Sequence, residues 1–198
     1  MAARLILASA SPRRRELLAQ LGVPFEVDAS DVPETPRPGE HPQAFASRVA
    51  RDKAAEVARR CPDALVLAAD TVVVVDGVIL GKPCDRSDAR RMLEALSGRT
   101  HEVLTAVALI DPGHDVEDLI VRSTVEFRPL VAQEIDRYLD SAEPYDKAGA
   151  YAVQGEAQRF VLAVHGSYTN VVGLPVDEVR ELLRRHLPAQ RAATPAAS

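Results

Sequence analysis

Residues 65–75 are apolar at every position except Asp70 and Thr71. So dense a run of Val, Leu and Ala, bounded by a turn, reads as a buried strand. The Asp76-Gly77 pair that ends it suits a two-residue hairpin, which returns the chain through Val78, Ile79 and Leu80. A strand of this kind has to be covered by other layers. A carboxylate in its middle is costly unless it is paired, bound to a metal or facing a cleft. Asp70 is therefore a hydrogen-bonded structural residue at a kink or a functional group, and function is the stronger reading.

The other segments supply the cover. Residues 5–8 read as a first strand, ended by Ser9-Ala10-Ser11-Pro12. Ser11 can cap a helix and Pro12 suits its first position; Leu17, Leu18 and Leu21 mark its apolar face, and Gly22 stops it. Phe25-Glu26-Val27 is a short strand, followed by a polar, Pro-rich loop over residues 28–42 and a helix over residues 42–60. Asp85 or Ser87 caps a helix with Ala89, Met92, Leu93 and Leu96 on one face, and Gly98 ends it. Residues 103–110 and 119–127 are strands; in the second, Val121, Ser123, Val125 and Phe127 share a face. Residues 131–139 are helical and 160–164 extended, and a last helix begins near Leu174-Pro175. This mixture predicts an α/β or α+β chain with a mixed sheet, as one domain over residues 1–187. The Ala- and Pro-rich residues 188–198 read as a disordered tail.

Composition narrows the partners. A net charge of −5 with both signs interspersed leaves no basic footprint for a nucleic acid, and the absence of Trp removes the obvious stacking platform. Cys61 and Cys84 lie in no metal-ligand or redox spacing, so a reducing cytoplasm is expected. No apolar run approaches a signal peptide or a membrane span.

Several groups can carry chemistry. Ser9-Ala10-Ser11-Pro12-Arg13-Arg14-Arg15 sits where a strand gives way to a helix, whose first N–H groups attract anions. Cations there oppose the helix dipole, at roughly 0.3–1 kcal/mol each when exposed. A bound phosphate would offset that cost; the plain alternative is a solvated basic turn. There is no P-loop pattern. Lys53 falls among Phe45, Val49, Ala50, Ala54 and Val57 on the inward face of its helix, either snorkelling to solvent or aimed into a cleft. Lys82, in Gly81-Lys82-Pro83, lies about as far beyond the Asp76-Gly77 turn as Asp70 lies before it, which predicts a shared cleft. Glu34 is a lone acid in the Pro-rich loop. Gln154 lies near the end of the polar segment 145–155, and its amide suits a base edge. Cations for phosphate beside carboxylates suggest Mg²⁺-assisted phosphoryl chemistry.

In order along the chain, several motifs resemble the Maf family of nucleotide pyrophosphatases. They are Ser9-Ala10-Ser11-Pro12-Arg13-Arg14, Asp52-Lys53-Ala54, Ala69-Asp70-Thr71-Val72-Val73 and Leu80-Gly81-Lys82-Pro83, then Ser97-Gly98-Arg99-Thr100-His101-Glu102, Tyr145-Asp146-Lys147-Ala148-Gly149-Ala150-Tyr151, Gln154-Gly155 and Asn170-Val171-Val172-Gly173-Leu174-Pro175. The resemblance implies an inosine-triphosphatase-like α/β fold, an elongated mixed sheet with helices around a central cleft, often in a homodimer. It also implies release of pyrophosphate from a nucleoside triphosphate with Mg²⁺ or Mn²⁺. Asp70 would be the proton acceptor, with Lys53 and Lys82 as further catalytic groups. Ser9, Arg13, Arg14 and Glu34 would bind substrate, and Asp70 and Glu34 would hold metal. Arg13, Thr71 and Gln154 match positions linked to base choice and resemble the branch acting on dTTP and UTP. The alternatives are the branch acting on 7-methyl-GTP, a phosphatase releasing inorganic phosphate, and a non-catalytic nucleotide-binding regulator of cell division or septum formation.

Overall fold

β3, Ala64–Val75, is the strand on which the sheet is built. The computed structural model describes residues 4–187, so the tail expected at 188–198 lies outside the described residues. The other strands are β1 (Arg4–Leu7), β2 (Glu26–Val27), β4 (Val78–Leu80), β5 (Thr100–Ile110), β6 (Val116–Phe127) and β7 (Val161–His165). They form one mixed sheet in the order β2-β1-β3-β5-β6-β7, with β4 also on β3. β1 runs parallel to β2 and β3, and the remaining pairs are antiparallel. The helices are α1 (Pro12–Ala19), α2 (Pro42–Arg60), α3 (Arg86–Leu96), α4 (Ala132–Leu139), α5 (Tyr168–Val172) and α6 (Val176–His186).

Alternation along β3 divides the core. Leu65, Leu67, Ala69, Val73 and Val75 face the larger apolar cluster, which includes Leu17 and Leu18 of α1, Leu93 of α3, Ile135 of α4 and Leu182 of α6. Val66, Ala68, Val72 and Val74 face the cluster formed with α2. The period of two therefore sends Asp70 toward α2 and Thr71 to the opposite face. On α2, Phe45, Ala46, Val49, Ala50, Lys53, Ala54, Val57 and Ala58 are buried at helical spacing, so Lys53 belongs to the inward stripe. The β3–β4 turn has positive φ at both Asp76 (50°) and Gly77 (76°), as a type I′ hairpin needs.

Most of the expected elements are present. α1 ends at Ala19, before Gly22, and β5 and β6 extend toward each other as far as the Ile110–Val116 pair. That extension includes polar residues which strand pairing, rather than apolar pattern, holds extended. α5 and the 3-10 turns Glu143–Asp146, Ala148–Ala150 and Glu156–Phe160 were not expected. Each is too short to show a period.

Gly149 sits within one of those turns at φ 69°, and a Cβ there would lie 2.9 Å from Val73 Cγ1. Gly149→Ala is expected to lower the unfolding free energy by roughly 1–3 kcal/mol, read as a lower urea midpoint at unchanged slope.

Candidate active site

The site begins with a gap in a strand edge. β5 pairs with β3 continuously from Val66 to Val74. On the other edge, β1 pairs only as far as Leu67 and β4 starts only at Val73. Residues 68–72 therefore have no strand on that edge, and Asp70 is at their centre. The chain leaving β1 turns away into α1, and a cleft of about 570 Å³ opens there, a volume suited to a nucleotide-sized ligand. Ser9, Arg13, Arg14, Glu34, Lys53, Asp70, Thr71, Lys82 and Gln154 all line it. The residues singled out from sequence thus come together in one place.

Lys53 is the hub. Its ammonium donates to Asp70 Oδ1 at 2.8 Å and pairs with Glu34 Oε1 at 2.6 Å. The Lys53 and Asp70 side chains are each 7% exposed, so each charge depends on the other. Glu34 is also 3.3 Å from Lys82 Nζ through Oε2. The sequence suggested that Lys82 shares a cleft with Asp70, and both line it; β4 ends at Leu80, and the more exposed Lys82 is linked to the ion cluster through Glu34. Burial opposes ionisation of Glu34, but Lys53 and then Lys82 outweigh it and hold its carboxyl below the usual range.

The N-terminus of α1 forms the facing wall. Ser11 is the N-cap and accepts from Arg14 N, and Pro12 occupies the first turn. Ser9 Oγ accepts from Ser11 N at 3.2 Å and from Arg14 Nη1 at 3.4 Å, which leaves its own proton free to donate. Arg14 also donates through Nε to Gly173 O at 2.9 Å and through Nη2 to Thr71 Oγ1 at 3.0 Å. Burial lowers its pKa from the usual guanidinium value, and Asp70 and Glu34 offset that only in part. A desolvated guanidinium facing a cleft is a strong anion attractor. Among the described residues no carboxylate pairs with Arg13 within 4 Å.

The third wall is the segment ending at Gln154, which is exposed at the rim. Glu143 holds the following turn, accepting from Glu156 N at 3.0 Å, Ala157 N at 3.3 Å and Tyr138 Oη at 2.9 Å. Tyr151 lines the cleft, and its hydroxyl is 2.8 Å from Nε2 of the buried His101. Burial raises the Tyr151 phenol and pushes the His101 imidazole down to about 4. Lys147 and Tyr151 were not singled out as site residues, although both belong to the polar segment that was. Thr105, behind the wall, is the one polar residue in the run 103–110, and that signal was available.

Among the described residues no group of three or more His, Cys, Asp or Glu is placed to enclose a metal. The pair Asp70 and Glu34, gathered on Lys53, is a smaller donor set. It suits Mg²⁺ or Mn²⁺ taken up together with phosphate oxygens, since Mg²⁺ commonly uses only one or two carboxylates.

Fold and cleft together define an α/β protein with a cleft lined by cations and carboxylates at a break in a mixed sheet. The chain belongs to the family described as Maf-like protein, which it matches over residues 4–186. It is 55% identical over 181 residues to a Myxococcus xanthus protein named dTTP/UTP pyrophosphatase, covering 91% of each chain. A Geobacter sulfurreducens protein of the same name is 54% identical over 185 residues, covering 92% of this chain and 96% of that one. Among solved structures, the Staphylococcus aureus Ham1 protein aligns with a TM-score of 0.56 at 13% identity, covering 92% of this chain and 99% of that one. The last likeness concerns the fold alone, and it agrees with the α/β fold expected from the sequence.

Lys53→Met strands the Asp70 carboxylate in a buried place and should cost roughly 3–5 kcal/mol of stability, whereas pairing it with Asp70→Leu should restore most of the loss. Equilibrium urea unfolding of both variants measures this. His101 takes up its proton near 6.5 when unfolded but only near 4 when folded. The unfolded state therefore binds more protons between those values, so stability falls as pH drops through that window and His101 adds no further loss below about 4. Between pH 7 and 4.5 the wild-type protein should lose about 2 kcal/mol more than His101→Gln.

Proposed function

We propose that this chain is a nucleoside triphosphate pyrophosphatase that hydrolyses dTTP and UTP to the monophosphate and pyrophosphate. The observation that carries this reading is the cleft in which Asp70, Glu34 and Lys53 form one ion cluster beside Ser9, Arg13 and Lys82. The names and the similarity of the Myxococcus and Geobacter relatives support it.

The residues divide the work by their hydrogen-bonding capacity. Asp70 Oδ1 is taken by Lys53, and the other oxygen remains to receive a proton from water as that water attacks the α-phosphorus. Lys53 has three N–H bonds and uses two of them on Asp70 and Glu34, so one is left for a phosphate oxygen. The Ser9 hydroxyl and the Arg13 guanidinium also donate to the phosphate chain. Lys82, the more exposed cation, would hold the departing pyrophosphate. Asp70 and Glu34 would hold a divalent cation together with the phosphates, and such an ion supplies charge neutralisation at the phosphoryl oxygens. Base choice rests on Arg13, Thr71 and Gln154.

The test is product analysis with purified protein, Mg²⁺ or Mn²⁺, and a panel of ribo- and deoxynucleoside triphosphates including 7-methyl-GTP. Pyrophosphate and monophosphate should form fastest from dTTP and UTP. Release of inorganic phosphate instead would remove the pyrophosphatase reading. Asp70→Asn should stay folded, with Glu34 still paired to Lys53, and lose at least about 10²-fold in kcat. Near-normal turnover would take Asp70 out of the mechanism.

A further inference from the structure

Thr71 and Thr105 face each other in the register of β3 and β5, and their hydroxyl oxygens are 3.0 Å apart. Thr105 is fully buried, and its hydroxyl lies 3.0 Å from the backbone carbonyl of Asn170. A carbonyl can only accept, so the single proton of Thr105 is committed to it. The contact between the two threonines then requires the proton of Thr71. Asn170 is itself fully buried and locked, its amide donating to Val103 O at 3.1 Å and to Ser123 Oγ at 2.9 Å. On the other side, Thr71 Oγ1 accepts from Arg14 Nη2 at 3.0 Å.

A hydroxyl has one proton and two lone pairs. In Thr71 the proton and one lone pair are used within the protein, so a ligand in the cleft can find only an acceptor there. Ser9 has the reverse polarity. It accepts twice from the protein and keeps its proton for the ligand, as a phosphate site needs.

Building on the pyrophosphatase reading, we propose that Thr105 and Asn170 are positioning residues that fix Thr71 as an acceptor, and that Thr71 reads the ring N–H at position 3 of uracil and thymine. Cytosine has a bare lone pair at that position. It would set acceptor against acceptor with the Thr71 proton already engaged, and a site built to bond a group discriminates strongly against a substrate that lacks it. Guanine also has a ring N–H, so this device separates uracil and thymine from cytosine and leaves purines to be excluded by size.

The experiment measures kcat/KM for pyrophosphate release from UTP and from CTP. Wild-type protein and Thr105→Ser, which keeps the hydroxyl, should show the same preference for UTP. Thr105→Val frees the Thr71 proton to donate to cytosine, and the UTP:CTP ratio should fall about tenfold, mainly through KM. A folded Thr105→Val protein with the wild-type ratio would overturn the proposal, as would a Thr105→Ser protein that loses as much as Thr105→Val. If Thr105→Val does not fold, N3-methyl-UTP decides on the wild-type protein. It should be turned over at least about tenfold less efficiently than UTP, and equal efficiency would overturn the proposal. Equal use of UTP and CTP by wild type would overturn this inference while leaving the pyrophosphatase reading in place. Failure to release pyrophosphate from any nucleotide would overturn both.

Discussion

The ammonium of Lys53 makes the rest of the cleft feasible. A carboxylate at the centre of the sheet's most buried strand is affordable only with a cation in contact, and α2 delivers one from its inward stripe. The same ammonium draws Glu34 in from a Pro-rich loop, and Glu34 in turn meets Lys82 beyond the hairpin. One interaction therefore organises four segments that are distant in sequence. The gap between β1 and β4 leaves that cluster open to a ligand instead of sealing it under a neighbouring strand.

The two faces of β3 take separate tasks. Asp70 points to the α2 side, where charge is concentrated, and Thr71 points to the side of Arg14, Thr105 and Asn170, where directed hydrogen bonds dominate. Adjacent residues on one rigid strand can thus serve phosphate chemistry and base reading without sharing partners. The third wall is a run of short turns held by the Glu143 carboxylate and the His101–Tyr151 pair, which place Gln154 at the rim. Short turns of this kind position side chains through specific bonds, not through a continuous apolar face.

Legibility in the sequence followed the strength of periodic signals. α2, the β3–β4 hairpin and the face of α3 were readable because period and turn chemistry agreed. α5 and the 3-10 turns were not, because one turn of helix cannot display a period. Among site residues, Asp70 was legible as a charge in an apolar run, and Lys53 as a cation on an inward helix face. Glu34 looked like any exposed loop acid; only tertiary structure brings it to Lys53. Thr105 is the one hydroxyl in the apolar run 103–110, a signal that was available but not used, and its role depends on the register with Thr71, which no local pattern specifies. Family resemblance carried Ser9, Arg13 and Gln154 further than composition alone allowed.

The most direct test of the proposed chemistry is hydrolysis of UTP in ¹⁸O-labelled water, with both products analysed by mass spectrometry. Attack at the α-phosphorus by water activated at Asp70 places the label in the monophosphate and none in the pyrophosphate. Label in the pyrophosphate, with unlabelled monophosphate, would mean that water attacks the β-phosphorus, and the roles given to Asp70, Lys53 and Lys82 would have to be abandoned.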